Sequence, residues 1–151
     1  MAHLTVDQCT QVIAWCNQHL DQADQRSDQY TIWESQWIDA WWPHTGLGNT
    51  EPMTHHCQII LTPPGSYMPL HQDTHGRYRR HQGVADDQPV HRHWASLSKP
   101  AIGHVLMFDD ECWYNVPQGE IRSLWSVGRH VAANLGDTDR WTMVVDAVSM
   151  T

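Results

Sequence analysis

The sequence predicts a mainly β protein, a double-sheet jelly roll braced by one helix near its N-terminus. Three observations carry this reading. Apolar residues recur at helical spacing only in the first stretch, residues 6–22. From residue 54 onward the texture changes to short runs with strand-like alternation, punctuated by Pro and Gly. Eight such runs follow one another without the helical patterns that a parallel α/β sheet would need between its strands.

Each element has its own signal. Val6, Cys9, Ile13, Cys16 and Leu20 fall on one helical face, Thr5 stands where an N-cap belongs and Asp7 lies in the first turn, so a helix is expected from Val6 to about Gln22. Asp24 to Asp28 is polar. Tyr30, Trp33, Trp37, Ile38, Trp41 and Trp42 then form an aromatic-rich segment that suits helix or strand, ended by Pro43, Gly46 and Gly48. Strands are expected near 55–62, 66–71, 77–84, 90–97, 101–108, 112–116, 122–131 and 139–147, with Pro63-Pro64-Gly65 as one of the turns. At 151 residues the chain fits a single domain, 1–151, with a helical and aromatic brace over 1–53 and a jelly-roll core over 54–147.

Composition narrows the partners. The chain has 9 basic and 17 acidic residues, a formal net charge of -8, and Lys99 is its only lysine. Nucleic acid and anionic membrane both call for a dense Lys/Arg surface, so neither is expected. No run approaches the 18 or so apolar residues of a membrane span, and MAHLTVDQ lacks the basic and apolar regions of a secretory leader, so a cytoplasmic location is expected. Cys9, Cys16, Cys57 and Cys112 form no CxxC pair and are read as reduced, small core residues. Trp15, Trp33, Trp37, Trp41 and Trp42 fall where the brace needs apolar bulk and are read as packing residues.

With 12 histidines, metal-ligand spacing is worth seeking. Residues 71 to 73 read His-Gln-Asp, and residues two apart on a strand point to one face, so His71 and Asp73 project together into whatever the sheets enclose. His130 follows 57 residues after Asp73 and supplies a third ligand. Two His and one carboxylate that leave other positions open form the facial triad of non-haem Fe(II) oxygenases. Ten residues on, Arg140 with Thr142 offers a guanidinium and a hydroxyl on one strand face, a fork suited to the far carboxylate of 2-oxoglutarate. His75, His91, His93 and His104 lack the rest of a ligand pattern and are read as surface or packing residues, and the adjacent His55 and His56 face opposite sides of a strand.

Pro64-Gly65-Ser66-Tyr67-Met68-Pro69-Leu70-His71, Arg79-Arg80-His81, Gly103-His104-Val105-Leu106-Met107-Phe108-Asp109-Asp110 and the block His130 through Asp146 together resemble the aspartyl/asparaginyl β-hydroxylase-like branch of the Fe(II)/2-oxoglutarate dioxygenases. The resemblance spans residues 57 to 147, and the His-x-x-x-Asn-x-x-x-x-x-Arg block followed by an apolar strand ending in Asp is its most specific part. It implies a cupin-like double-stranded β-helix in which His71 and His130 ligate iron, Arg140 binds the distal carboxylate of 2-oxoglutarate, and Arg79 and His81 face the cosubstrate near the metal. On strand alternation Arg77, Arg79 and His81 share one face, which agrees with that role. The aspartyl/asparaginyl hydroxylases proper have Gly where this chain has Asp73, whereas free-proline cis-hydroxylases of the same branch keep His-x-Asp. A supplied carboxylate also argues against halogenation, which needs that coordination position for halide.

The chain departs from the family by an insertion, Cys112 to Arg129, before the distal histidine. Without it Tyr114 would fall near the ligand position, but the residues after His130 match and those after Tyr114 do not. The insertion, with Trp113, Tyr114, Arg122 and Trp125, reads either as a hairpin over the barrel mouth or as an extended strand pair. The expected activity is hydroxylation of a C–H bond in a small-molecule or peptidyl amino acid, with Fe(II), 2-oxoglutarate and O2 acting together and succinate and CO2 released. The alternative is a jelly roll that binds a metal without turnover.

Overall fold

Helix α1 (Val6–Gln18) starts where the sequence predicts, in a computed structural model that describes residues 3–26, 29–34, 53–108, 110–124 and 128–149. The Thr5 hydroxyl accepts from the Gln8 backbone N–H at 3.2 Å, and the Gln8 side chain accepts from the Thr5 N–H at 2.8 Å, a reciprocal capping box. The helix stops at Gln18 rather than Gln22, because the His19 ring stacks on Trp15 with its Nδ1 2.8 Å from the Trp15 carbonyl; a short 3₁₀ turn, Leu20–Gln22, follows. No helix among the described residues is long and apolar enough to cross a membrane.

The strands in chain order are β1 (Ala23–Arg26), β2 (Tyr30–Glu34), β3 (Met53–Thr62), β4 (Tyr67–His71), β5 (His91–Ser96), β6 (His104–Phe108), β7 (Cys112–Tyr114), β8 (Ile121–Leu124), β9 (His130–Asn134) and β10 (Arg140–Ser149). They form two antiparallel sheets, β1-β2-β3-β10-β5-β8 and β4-β9-β6-β7. The chain is a double-stranded β-helix, as its strand pattern predicts. β10 lies centrally in the larger sheet with both faces covered, which is why it reads as a nearly unbroken apolar run. Its Trp141, Met143 and Val145 pack with α1 residues Cys9, Val12 and Cys16, while Val144 joins Ile60, Trp94, Leu106 and Ala132 between the sheets. That alternation aims Arg140 and Thr142 inward as well.

Several expectations need correction. Residues 77–84, expected as a strand, contain helix α2 (Gly76–Gln82), closed by Gly83 at φ 65 whose N–H bonds the Arg79 carbonyl. The run has no β-branched residue before Val84, and its apolar members Tyr78 and Val84 pack on Val148 at the end of β10. Residues 23–26 and 30–34 pair as β1 and β2, although a polar edge strand carries no apolar alternation for a sequence reading to find. The single strand expected over 122–131 is two, β8 joining β5 and β9 joining β4 and β6. The insertion is therefore neither a hairpin nor a strand pair: β7 and β8 belong to different sheets, and the segment crosses between them with Val116 buried in the interior. Cys112 is exposed, unlike the other three cysteines. Burial pushes the Cys9 and Cys16 thiols up to about 11 and about 12, so both remain protonated and inert. Trp33 is a core residue as expected and packs on Trp141, whereas Trp37, Trp41, Trp42 and Trp125 lie outside the described residues.

Candidate metal centre and adjoining cavity

β4 and β9 pair so that His71 stands directly opposite His130. A register irregularity lies between Met68 and His71, and β4 ends at His71, two residues before Asp73. His71 Nε2 lies 3.7 Å from Asp73 Oδ1 and His130 Nε2 lies 3.4 Å from Asp73 Oδ2. One ligand atom from each of the three residues lies within 4.8 Å of the others, so the group can hold a metal ion.

The imidazoles are already oriented for that task. His71 Nδ1 lies 2.7 Å from the Pro69 carbonyl and His130 Nδ1 lies 3.3 Å from the Gly128 carbonyl, so in each ring Nδ1–H is the donor and the Nε2 lone pair points at the group. Burial holds the His130 imidazole below its ordinary pKa, favouring the neutral form that ligates. The donor set of two imidazoles and one carboxylate suits Fe(II) and neighbouring divalent metals.

The three ligands open onto a cavity of about 270 Å³ between the sheets, lined by Ile60, Trp94, Leu106 and Val144 and, from β10, by Arg140 and Thr142. Arg140 is 4% exposed. No carboxylate among the described residues pairs with it, and its nearest compensation is the Trp94 ring, 5.8 Å from the guanidinium carbon. Burial lowers its pKa to about 10, still far above neutrality, so the group is a cation at pH 7. A cation–π contact contributes about 2 kcal/mol at best when desolvated, against a penalty of several kcal/mol for an unpaired buried ion. The wall thus presents a charge that an anion in the cavity would neutralise.

The turn that carries the chain from His130 to Arg140 is organised by Asn134, which is fully buried. Its Nδ2 donates to the Thr62 and Thr138 carbonyls, each at 2.8 Å, and its Oδ1 accepts from the Gly136 N–H at 3.1 Å. Asn134→Ala is expected to lower stability by roughly 1–3 kcal/mol, since it leaves the buried Thr62 carbonyl without this donor and removes the ties to Thr138 and Gly136. Urea unfolding followed by Trp fluorescence measures this, and a midpoint equal to that of the parent protein would contradict it.

Arg79 does not line this cavity, contrary to the role expected for it, and the His81 side chain lies outside what the structure describes. They lie on a helix, where residues two apart do not share a face, and the Arg79 guanidinium donates to the Ala85 and Gln88 carbonyls of the following loop. The basic residue that does face the site is Arg92 on β5. Its Nη1 donates to Asp73 Oδ2, and its Nε and Nη2 donate to Asp146 Oδ1 and Oδ2, each at 2.7 Å. His75, expected on the surface or in packing, donates from Nδ1 to Asp146 Oδ2 at 3.3 Å. Alternation along β5 puts Arg92 and Trp94 on one face, and an acid inside the apolar run Val144-Val145-Asp146-Ala147-Val148 requires a buried partner; those were the available signals. A second cavity of about 250 Å³, lined by His56, Gln72, Thr74 and Tyr78, lies beyond Asp73, Arg92 and Asp146. Trp113 packs on Trp94 and Phe108, with Arg122 stacked on its ring at 4.9 Å.

Burial alone would raise the Asp146 carboxyl, but the hydrogen bonds and charges of Arg92 and His75 bring its pKa down to about 2. The unfolded-state value is about 3.9. A depressed folded value means the contribution to stability is complete above about pH 4 and is lost as pH falls toward about 2. Asp146→Asn is therefore expected to be less stable than the parent at neutral pH, with the difference shrinking across that window. Urea midpoints at about pH 5 and pH 2.5 measure it, and a difference independent of pH would contradict the assignment.

No protein-family model matches the chain, and no curated protein matches it. Among solved structures, it is similar to a prolyl-4-hydroxylase from Pseudomonas putida, with TM-score 0.64 and 16% identity over 100% of this chain and 91% of that one. It is also similar to a predicted oxalate decarboxylase from Thermotoga maritima, with TM-score 0.52 and 12% identity over 85% and 93% of the two chains. The cupin domain of Schizosaccharomyces pombe Cnp3 superposes with TM-score 0.51 and 10% identity over 84% and 68%. These likenesses establish the cupin-type fold.

Proposed function

We propose that residues 1–151 form an Fe(II)- and 2-oxoglutarate-dependent dioxygenase domain of the aspartyl/asparaginyl β-hydroxylase-like branch. It would hydroxylate a C–H bond of a free amino acid or of an aspartyl, asparaginyl or prolyl residue. The observation that carries the proposal is the buried guanidinium of Arg140, with no carboxylate partner among the described residues, in the same cavity as His71, Asp73 and His130. A metal-binding protein without turnover needs the three ligands but has no use for a desolvated cation beside them.

His71, Asp73 and His130 would hold the iron, two through Nε2 and one through a carboxylate oxygen. Arg140 would bind the distal carboxylate of 2-oxoglutarate with the Thr142 hydroxyl beside it, a charge-assisted pairing that strengthens as water leaves. Ile60, Trp94, Leu106 and Val144 exclude water from that end, so the cosubstrate is held in one orientation. When bound, Fe(II) with 2-oxoglutarate supplies O2 activation, and the protein orients the reactants around it.

Turnover tests the proposal even while the substrate is unidentified. Aerobic protein with Fe(II) and 2-oxoglutarate is expected to form succinate above the metal-free control, and more of it when the right amino acid or short peptide is present. Succinate at control level in every mixture, with metal bound, would favour the non-catalytic metal-binding jelly roll.

A further inference from the structure

We propose that Arg92 and Asp146 form a positioning clamp that sets the Asp73 carboxylate against the two histidines. The inference rests on the metal-site reading above and concerns how that site is held in shape. Both histidine ligands come from the smaller sheet, on β4 and β9, whereas Arg92 and Asp146 stand side by side on β5 and β10 of the larger one. Asp73 follows β4 in a segment outside regular structure, so its carboxylate is held by side-chain contacts rather than by a ladder.

Three contacts pin that segment. His71 is held by its register with His130, and Asp73 by the guanidinium of Arg92. His75 is held by Asp146, with side chains only 6% and 4% exposed. His75 adopts φ 53, a left-handed conformation that costs a non-glycine residue free energy and persists where the surroundings impose it. Asp146 receives two hydrogen bonds from Arg92, so the fork cannot rotate away from Asp73 without breaking both. Arg92 holds Oδ2 of Asp73, the oxygen nearer His130, while Oδ1 faces His71. The clamp thus transmits the position of the larger sheet to the one ligand that the smaller sheet does not place.

Co(II) titration of the metal-free protein, followed by visible absorption, tests this with the metal alone. Asp146→Asn and Arg92→Lys are expected to bind Co(II) about 10- to 100-fold more weakly than the parent, the range seen when outer-shell partners are lost. An Asp73→Asn background separates positioning from general support. With the carboxylate gone the clamp has nothing to orient, so adding Asp146→Asn there is expected to change Co(II) affinity no further. A variant that does not melt cooperatively is replaced by Asp146→Glu, which keeps the charge but shifts the fork, and the same loss is expected. Parent-like Co(II) affinity in the folded variants, or an equal further loss in the Asp73→Asn background, would overturn the clamp and leave the three ligands standing. Absence of Co(II) binding to the parent protein itself would overturn the metal site and the clamp with it.

Discussion

Arg140→Met is expected to weaken 2-oxoglutarate binding at least about 30-fold and, at the same time, to raise the melting temperature of the metal-free protein. The two effects have one cause. Arg140 is buried with a Trp94 ring as its only close compensation among the described residues, so the fold carries a desolvation penalty that a methionine of similar length would relieve. Relief of about 1–4 kcal/mol corresponds to a rise of roughly 2–16 °C for a chain of this size. Once 2-oxoglutarate is present, the same guanidinium becomes half of a charge-assisted pair. Losing it is expected to cost about 2–5 kcal/mol, at least a 30-fold weakening. Calorimetric melting and titration of the Fe(II)-loaded protein under nitrogen read the two halves separately. An Arg140 with a structural role would instead give a variant that melts lower.

His71→Ala is expected to remove stoichiometric metal binding and all succinate formation. The loss in metal affinity should exceed the roughly 10–100-fold of an outer-shell change, because a donor atom itself is gone. Stability of the metal-free protein should change little, since the His71 side chain is about a third exposed and its hydrogen bond is to the nearby Pro69 carbonyl. Metal analysis after dialysis, with circular dichroism as the fold control, measures this. A variant that keeps one metal per chain would show that the ion, if bound, sits elsewhere.

Much of this architecture was legible because two rules have little competition here. Strand alternation placed Arg140 with Thr142 on the inward face of β10, and the His130 block supplied the residue that stands opposite His71, whereas Asp73 reaches the pair from beyond the end of β4. The 77–84 segment failed for a physical reason. Its same-face argument for Arg79 and His81 assumed a strand, but without β-branched residues, and with Gly83 able to close a helix in the left-handed region, the chain coils and docks Tyr78 and Val84 on β10. Arg92 was missed for the complementary reason. Its partners Asp73 and Asp146 lie 19 and 54 residues away, and only strand pairing across two sheets brings them together. Long-range polar contacts of this kind leave no periodic trace in a sequence, whereas the Asn134 turn, whose contacts to Gly136 and Thr138 are local, falls inside the most specific motif.

The most direct test of the central claim is the visible spectrum of the protein with Fe(II) and 2-oxoglutarate under strictly anaerobic conditions. Chelation of Fe(II) by a 2-oxo acid produces a charge-transfer band that neither component gives alone. The account predicts a band that appears only when both are added, that is absent in His71→Ala, and that fades in Arg140→Met at the same 2-oxoglutarate concentration. A protein that binds Fe(II) at one per chain yet gives no band at any 2-oxoglutarate concentration would contradict it, returning Arg140 to the packing of the barrel.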